Sequence, residues 1–383
     1  MKKIYIVAAK RTPQGRLLGA LAKRSAVDLA KAAGREILRT VAPAAIDQVI
    51  VGNVLSAGQG MNMARQVGVG LDIPLDRPAY TINMMCASGM HAVILAAQIL
   101  RAGEARTILC GGAESMTNAP YLLDRARVGY KMGDATLIDS VLRDGLTDAF
   151  SARHMGLSAE LLAEKYAIDR VAQDTFAVRS QQRYAAALAQ GAFNDEIVAV
   201  DALKQDEHPR PDVTLEKLSS MKPAFKPTGT ITAGNASGVN DGAALLVVCD
   251  EDTLKSQGWA PLAEIAGWRT MGCEPDLMGL GPVHATRKLC ALLGLALNAF
   301  ETIELNEAFA AQALACMKDL GLDAERVNPH GGAIALGHPI GASGARLLVH
   351  LAHRIARKEI KNGLATLCVG GGMGSAMMLK AAG

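Results

Sequence analysis

The sequence predicts an α/β protein that contains two copies of one structural unit, with a long loop-rich insertion between them. Strand-like and helix-like segments alternate up to about residue 115 and again after Pro261, which favours a parallel sheet covered by helices. Two blocks also repeat the order turn, helix, strand and glycine turn, one starting at Cys86-Ala-Ser-Gly and the other at Gly341-Ala-Ser-Gly. If the copies pack back to back about a pseudo-dyad, the N-termini of these two helices meet at the centre.

The individual elements follow from the spacing of apolar residues and from their flanking glycines and prolines. In the first copy the predicted elements are a strand at 3–8, a helix at 25–39, a strand at 48–54, helices at 63–71 and 90–102, and a strand at 106–110. After a strand at 243–249, the second copy has strands at 262–268 and 299–305, helices at 283–293 and 308–320, and strands at 365–369 and 375–379. We expect Gly103 to end the first central helix and Gly111-Gly112 to end the strand that follows it.

Between the two copies the composition and the pattern of the sequence change. Prolines and charges replace the alternation from about residue 114 to 239, with predicted helices at 157–166 and 172–189. We interpret this segment as an insertion that covers an active site. The predicted domains are residues 1–115 for the N-terminal half, completed by about 240–260, residues 116–239 for the loop domain, and residues 261–383 for the C-terminal half.

Composition limits the classes of function. A length of 383 residues exceeds the roughly 250–300 residues at which a single core stops growing. A net charge of +3 without long basic runs argues against nucleic acid as a partner. The apolar run at 4–9 is too short for a signal peptide, and no uninterrupted apolar segment approaches the ~20 residues of a membrane span. We therefore expect a soluble cytoplasmic protein.

The seven cysteines are scattered and never have Cys-x-x-Cys spacing, which argues against a disulfide framework or a zinc site. Cys86 differs from the rest because it falls where a strand passes into a helix. Unpaired N–H groups at a helix N-terminus stabilise a thiolate. We expect the other cysteines, apart from Cys368, to be core residues, namely Cys110, Cys249, Cys273, Cys290 and Cys316.

A second candidate stretch runs from Asn328 to Arg346 and holds His338 between glycines and Pro339. Such a rigid loop positions a side chain closely against a ligand. Cys86 belongs to one copy, whereas His338 and Cys368 belong to the other. A thiol, a base and a second acid/base are the parts of nucleophilic sulfur catalysis, so we expect one cleft at the junction of the halves.

Four motifs resemble those of thiolases. They are Asn83-Met-Met-Cys-Ala-Ser-Gly, Asn306-Glu-Ala-Phe-Ala, Gly331-Gly-Ala-Ile-Ala-Leu-Gly-His-Pro-Ile-Gly and Cys368-Val-Gly-Gly-Gly-Met-Gly. The resemblance extends over essentially the whole chain in the same order. It implies a five-layered α-β-α-β-α arrangement of the two halves.

The resemblance also implies a role for each catalytic residue. Cys86 is the nucleophile that takes the acyl group from a coenzyme A thioester, and His338 activates it. Cys368 is the acid/base that removes or returns the α-proton of the second acyl-CoA. Asn306, through a water, and His338 form one oxyanion hole, and the backbone N–H groups of Cys86 and Gly370 form the other.

Further residues are implied to bind the acyl-CoA. The matching positions are Ser237, His154 and Met155 along the pantetheine arm, Arg210 near the adenosine phosphates, and Phe225, Ala308 and Phe309 in the pocket wall. A surface arginine and a core aromatic need no ligand, so a purely structural role stays open for Arg210 and Phe225. We assign His330 to structural support of the catalytic loop.

Segments 128–134, 144–150 and 154–156 resemble the short-chain biosynthetic branch of the family most. The first hypothesis is therefore the reversible condensation of two acetyl-CoA molecules to acetoacetyl-CoA and CoA. The alternatives are a degradative 3-ketoacyl-CoA thiolase of broader chain length, a decarboxylating condensing enzyme, and a non-catalytic acyl-CoA carrier or redox sensor. We expect acyl-CoA as the partner, no metal, no cofactor apart from coenzyme A as substrate or product, and a homodimer or a homotetramer formed through the 120–135 loop.

Overall fold

The computed structural model describes residues 2–383. The strands are β1 (Ile4–Arg11), β2 (Gly15–Arg16), β3 (Gln48–Gly52), β4 (Ala79–Ile82), β5 (Thr107–Ser115), β6 (Tyr121–Leu122), β7 (Ile138–Asp139), β8 (Asn240–Asp250), β9 (Ala263–Gly272), β10 (Thr302–Leu305), β11 (Asn362–Val369) and β12 (Met373–Lys380). The α-helices are α1 (Ala26–Ile37), α2 (Met63–Val69), α3 (Ser88–Ala102), α4 (Met155–Lys165), α5 (Arg170–Ala189), α6 (Leu215–Ser219), α7 (Glu251–Gln257), α8 (Gly281–Leu293), α9 (Ala310–Leu320), α10 (Ala333–Leu336) and α11 (Ile340–Ala356).

The duplication is visible in the order of the strands. The main sheet runs β10-β11-β12-β9-β1-β8-β5-β3-β4, with β2 beside β8. Tyr5 pairs with Glu264 and Ile6 with Ala263, so β1 and β9 join the halves. Outward from this junction, each half continues with two antiparallel pairings, which are followed by two parallel pairings in the N-terminal half and by one in the C-terminal half. The expectation of a parallel sheet was wrong in this respect, because β8 and β12 both run antiparallel to their neighbours.

Side-chain alternation along the strands creates the layers. Ile4 and Ile6 of β1 face a central core with α3 and α11, whereas Tyr5 and Val7 face an outer core with α1 and α2. In the C-terminal half, the inner faces of β11 and β12 join the same central core, and their outer faces pack against α8 and α9. Because successive side chains of a strand point to opposite faces, each strand serves two cores. The result is the expected α-β-α-β-α arrangement.

Helices α3 and α11 pack on each other at the centre, and glycines permit their close approach. A Cβ atom at Gly89 would lie 2.9 Å from the backbone nitrogen of Ala345, and one at Gly112 would lie 2.0 Å from the carbonyl oxygen of Gly341. These contacts explain why the end predicted for the strand at Gly111-Gly112 was wrong. Strand β5 continues to Ser115, because these glycines serve packing rather than a turn.

The residues around α3 also have the composition of a membrane span. Segment 85–102 has a mean hydropathy of 1.3 and is long enough by length and composition to cross a bilayer, but 56% of it is buried inside the protein. A helix buried between two sheets is apolar on all sides for that reason.

The segment between β5 and β8 contains α4, α5, α6 and the small β6–β7 hairpin. It is fixed to the first strand by a buried ion-pair network. The Arg11 guanidinium donates to Glu196 Oε1 (2.6 Å) and to Asp206 Oδ1 (2.6 Å), and all three side chains are excluded from solvent. The boundaries at residues 115, 239 and 261 stay a prediction.

Candidate active site

Cys86 lies in a tight turn directly before α3. The Ser88 hydroxyl accepts a hydrogen bond from the backbone N–H of Met84 (2.8 Å) and donates one to the carbonyl oxygen of Met85 (2.7 Å). Met85 takes a left-handed backbone conformation with φ of 47°. Such strain in a non-glycine residue persists where the surroundings enforce it, as they do next to functional groups. The turn holds the Cys86 sulfur at the N-terminal end of the helix.

His338 is held at its backbone and at one ring nitrogen. Its N–H donates to Asn240 Oδ1 (2.8 Å), and Nδ1 lies 2.6 Å from the Ser343 hydroxyl. That hydroxyl donates its proton to the carbonyl oxygen of Pro339 (2.8 Å), so it accepts the Nδ1 proton of the imidazole. The second ring nitrogen, Nε2, therefore carries a lone pair and can take a proton.

The structure brings the separated motifs together. Cys86, His338, Cys368 and Gly370 line one cavity of about 370 Å³. The cysteine belongs to the first copy of the repeat, and the other three residues belong to the second. The loops before α3 and α11 and the turn after β11 all end at the junction of the halves, which places these side chains around the same space.

Asn306 is not among the residues that line this cavity. It is completely buried, and within the described chain neither polar atom of its side chain has a hydrogen-bond partner. Asn53 follows β3 as Asn306 follows β10, and its amide nitrogen donates to Ala113 O (3.0 Å) and Glu114 Oε1 (2.7 Å). Buried amides are normally satisfied, so the free donor and acceptor of Asn306 fit the bridging water that the motif implies.

Burial shifts the pKa of Cys86, His338 and Cys368 in the direction that favours their neutral forms. Burial raises the pKa of the Cys86 thiol to about 11, although the backbone N–H groups of Gly370 and of Cys86 itself oppose this shift. Burial, reinforced by the charge of Arg346, lowers the pKa of His338 to about 4. Burial also raises the pKa of Cys368 well above its usual value. The donors at the helix N-terminus thus favour the Cys86 thiolate as expected, but desolvation outweighs them and leaves the thiol pKa above its usual value.

The residues predicted to bind acyl-CoA lie in the same cavity. Its lining includes His154, Met155, Arg210, Phe225, Ser237, Ala308 and Phe309. Phe225 stacks on His154 with ring centroids 4.6 Å apart and meets Phe309 edge-on at 6.2 Å. These aromatic contacts make one wall of the cavity, and Arg210 stands at its polar end.

Arg210 also borders a second, more open cavity with Arg16 and Lys217. Burial and the neighbouring Arg16 charge lower the pKa of Arg210. The three cationic side chains outnumber the Asp212 carboxylate in this open cavity, which makes a positive surface suited to an anionic group.

Several residues of the site carried no clear signal in the sequence. Met116 and Met278 line the cavity, but methionines are frequent in this chain and have no fixed spacing. Buried Glu114 accepts hydrogen bonds from the backbone of Val54 (3.0 Å) and Gly341 (2.9 Å), so it ties the two halves together below Cys86. Only the fold reveals that these positions meet.

Two further predictions concern residues outside the cavity. Four of the cysteines assigned to the core are buried as expected, namely Cys110, Cys249, Cys290 and Cys316. Cys273 is only half-buried, because it lies directly after the end of β9. Its assignment to the core was therefore wrong. His330 Nδ1 lies 3.0 Å from His350 Nε2, and His350 Nδ1 lies 2.8 Å from Glu196. His330 therefore supports the loop through the buried ion-pair network.

A duplicated α/β fold with a cysteine of one copy facing a histidine and a cysteine of the other defines a class of cysteine-dependent acyltransferases. The thiolase N-terminal domain matches residues 4–252, and the thiolase C-terminal domain matches residues 259–381. The chain belongs to the thiolase family.

Individual relatives cover the whole chain. An acetyl-CoA acetyltransferase of Chromobacterium violaceum is 47% identical over 389 residues, which are 99% of each protein. The structure of human mitochondrial 3-ketoacyl-CoA thiolase in complex with CoA is similar with a TM-score of 0.98 and 42% identity, covering 100% of this chain and 98% of that one. The structure of the Bacillus anthracis acetyl-CoA acetyltransferase is similar with a TM-score of 0.97 and 40% sequence identity. The match covers 100% of this chain and 99% of that one.

Proposed function

We propose that this protein is an acetyl-CoA C-acetyltransferase that reversibly condenses two acetyl-CoA molecules to acetoacetyl-CoA and CoA. The observation that carries the proposal is the convergence of Cys86, His338 and Cys368 on one apolar cavity. The names of the full-length relatives support the same reaction. The roles of the individual residues are part of the proposal.

The first half-reaction acylates Cys86. The thiol gives its proton to Nε2 of His338 while the sulfur attacks the thioester carbonyl carbon. The bond between this carbon and the CoA sulfur then breaks, and the leaving thiolate takes a proton from Cys368. The products are acetyl-Cys86, free CoA, a protonated His338 and a Cys368 thiolate.

The second half-reaction forms the carbon–carbon bond. The Cys368 thiolate removes an α-proton from the second acetyl-CoA, and the resulting carbanion attacks the acetyl carbon on Cys86. As the bond to Cys86 breaks, its sulfur recovers the proton from His338. Every group returns to its neutral starting state, which is the state favoured by the buried surroundings.

The oxygen that becomes negative in each step needs fixed donors. The backbone N–H groups of Cys86 and Gly370 provide one pair. Protonated His338 and a water held by Asn306 provide the other. Backbone N–H groups and buried side chains are fixed in position, which supports donors that need no rearrangement when the charge develops.

A chain-length profile tests the proposal. We expect the rate of thiolysis to be greatest for acetoacetyl-CoA and to fall for 3-ketoacyl-CoA substrates from C6 to C16. Equal or better rates on the long substrates would instead favour the degradative alternative. The similarity to human mitochondrial 3-ketoacyl-CoA thiolase is the observation that supports this alternative.

A decarboxylating enzyme of the same superfamily pairs its nucleophile with two histidines or with histidine and asparagine. A cysteine at position 368 argues against that reaction. Release of CO2 from a malonyl thioester would contradict our assignment.

We further propose that the enzyme acts in the cytoplasm, needs no metal or prosthetic group, and assembles as a homodimer or homotetramer. The 120–135 loop carries exposed apolar side chains, among them Val128 and Met132, the latter 99% exposed. Sedimentation of the protein before and after removal of residues 121–135 tests the role of this loop. Dialysis against a chelator tests the proposal that no metal is needed, and we expect the enzyme to retain its full activity.

A further inference from the structure

One buried carboxylate close to the proposed active site takes part in none of the reaction steps above. Glu114 lies on β5, is completely excluded from solvent and does not line the cavity that holds Cys86. Its two oxygens accept four hydrogen bonds, which come from Asn53 Nδ2 (2.7 Å) and from the backbone N–H groups of Val54 (3.0 Å), Leu55 (3.1 Å) and Gly341 (2.9 Å). All four donors are uncharged.

These four donors fit the ionised form of Glu114 and not its protonated form. A carboxylate only accepts hydrogen bonds, whereas a protonated carboxyl group carries one O–H donor. After protonation, one oxygen would present a proton to N–H groups that point at it, and at least one of the four hydrogen bonds would be lost. Burial raises the pKa of Glu114 to about 7, although the backbone donors oppose this shift. The charge of Glu114 therefore changes near neutral pH.

The donors to this carboxylate come from both halves of the molecule. The loop after β3 provides two of the N–H groups, and the side chains of Val54 and Leu55 in this loop pack in one apolar cluster with Cys86. The third N–H group belongs to Gly341 in the first turn of α11, three residues after His338. The carboxylate thus links the surroundings of the nucleophile to the segment that carries its base.

The titratable groups whose charges act together with Glu114 lie on two neighbouring elements. Burial is the main cause of the raised pKa of Glu114, and the charge of Asp241 on β8 adds to it. Burial is also the main cause of the raised pKa of Cys86, before α3, and the charge of Glu114 adds to that shift. The contacts from the loop after β3 and from α11 are the uncharged donors described above. By charge alone, ionised Glu114 would therefore slow the attack by Cys86.

We propose that ionised Glu114 is a positioning residue for the acylation of Cys86, because its carboxylate holds the first turn of α11, and with it His338, in place beside the nucleophile. The inference rests on the proposed function, since the step that Glu114 promotes is acyl transfer to Cys86. Protonation of Glu114 removes at least one of the four hydrogen bonds and loosens this link. Acylation is thus faster when Glu114 is ionised, which is opposite to the effect of its charge alone.

The test is the rate of the burst of CoA from acetyl-CoA, recorded by quenched flow from about pH 5 to about pH 9. In the wild type we expect this rate to rise about tenfold with increasing pH, the effect of one buried hydrogen bond, with a midpoint near pH 7. The pKa of His338 is about 4 and that of Cys86 is about 11, so both lie outside this range. A flat profile, or a rate that falls as the pH rises, would overturn the proposal.

Glu114→Gln retains the shape of the side chain but has no ionisable group. We expect its burst rate to be independent of pH in this range and about tenfold below the wild type at the basic end. Asp241→Asn is the matched control, because Asp241 is a second completely buried carboxylate that bonds to Thr117 instead of to the linked segments. This variant should keep the rise but shift its midpoint to lower pH, since the charge of Asp241 contributes to the raised pKa of Glu114.

A rise with pH that persists in Glu114→Gln, or that disappears in Asp241→Asn, would overturn the proposal. Calorimetric titration with CoA should give affinities within about twofold of the wild type in both variants, because neither residue lines the cavity. Loss of CoA binding in Glu114→Gln would assign the effect to general disruption and would also overturn it. The wild-type profile and the Asp241→Asn midpoint test the proposal even if Glu114→Gln does not fold. If the wild type gives no burst from acetyl-CoA at any pH, the proposed function fails and not this inference alone.

Discussion

The Nδ1 atom of His338 lies 2.6 Å from the hydroxyl oxygen of Ser343, and this hydroxyl donates to the carbonyl oxygen of Pro339. Because the hydroxyl proton is engaged, the contact fixes the imidazole tautomer with a proton on Nδ1. The proton acceptor of the reaction is therefore Nε2. Ser343 lies in the first turn of α11 and Pro339 directly follows His338, so residues close in sequence orient the ring. Asn240 of β8, by contrast, holds the His338 backbone.

Ser343→Ala is expected to slow acylation of Cys86 by about tenfold, which corresponds to the loss of one buried hydrogen bond. The variant retains the imidazole but no longer fixes its tautomer. The measurement is the burst of CoA released from acetyl-CoA, recorded against pH. Ser375→Ala, an equally buried serine on β12, is the control, and an equal loss in both variants would assign the effect to stability instead.

Cys86→Ala is expected to abolish acyl transfer, by a factor on the order of 10⁴ or more, because it removes the proposed nucleophile, and the Cys368 thiol that remains in the cavity is assigned to proton transfer. CoA binding should survive, since the arm of the ligand contacts other residues. Activity assays and calorimetric titration with CoA separate the two properties. Thiolysis that persists in this variant would revive the interpretation as an acyl-CoA carrier.

Cys368→Ala is expected to slow condensation by about 10²–10⁴-fold, the usual contribution of a general acid/base. A burst of CoA from acetyl-CoA should still be observed, because the nucleophile and its base remain in place and the CoA thiolate can leave as an anion and take its proton from water instead of from Cys368. Quenched-flow measurement of CoA gives the burst amplitude. Loss of the burst together with condensation would mean that the two cysteines do not divide the work as proposed.

Alkylation of Cys86 by iodoacetamide should rise with pH up to about 11. The reason is that burial raises the pKa of this thiol to about 11, so the reactive thiolate fraction keeps increasing throughout the neutral and mildly basic range. Mass spectrometry of the Cys86 peptide measures the rate, with half-buried Cys273 as an internal comparison. A plateau near pH 7 would indicate a thiolate that is already formed.

Arg11→Ala is expected to lower the free energy of unfolding by about 3–5 kcal/mol, because it leaves Glu196 and Asp206 as buried charges without their partner. Urea denaturation at fixed protein concentration measures the change. Arg24→Ala removes an exposed pair with Asp201 and is expected to change stability little. Similar effects in the two variants would refute the stabilising role of the buried network.

Local patterns were enough to identify most elements of the fold. Helix α1 lies within the range 25–39 predicted for it, and Gly103 ends α3 with φ of 80°, as its position in the sequence predicts. The motifs also predicted that Cys86, His338 and Cys368 share a cavity. Helix ends depend on contacts between residues that are close in sequence, so local patterns predict them. Long motifs identify the family, and the family implies which residues share the cavity.

The sequence by itself therefore determined the duplicated α/β plan, the family and the residues that face one another in the cavity. Only the tertiary structure decided the antiparallel course of β8 and β12, the continuation of β5 through Gly112 and the burial that raises the pKa of Cys86. Each of these depends on which distant segments surround a residue, because burial and close packing are properties of the assembled layers. Spacing along the chain does not contain that information.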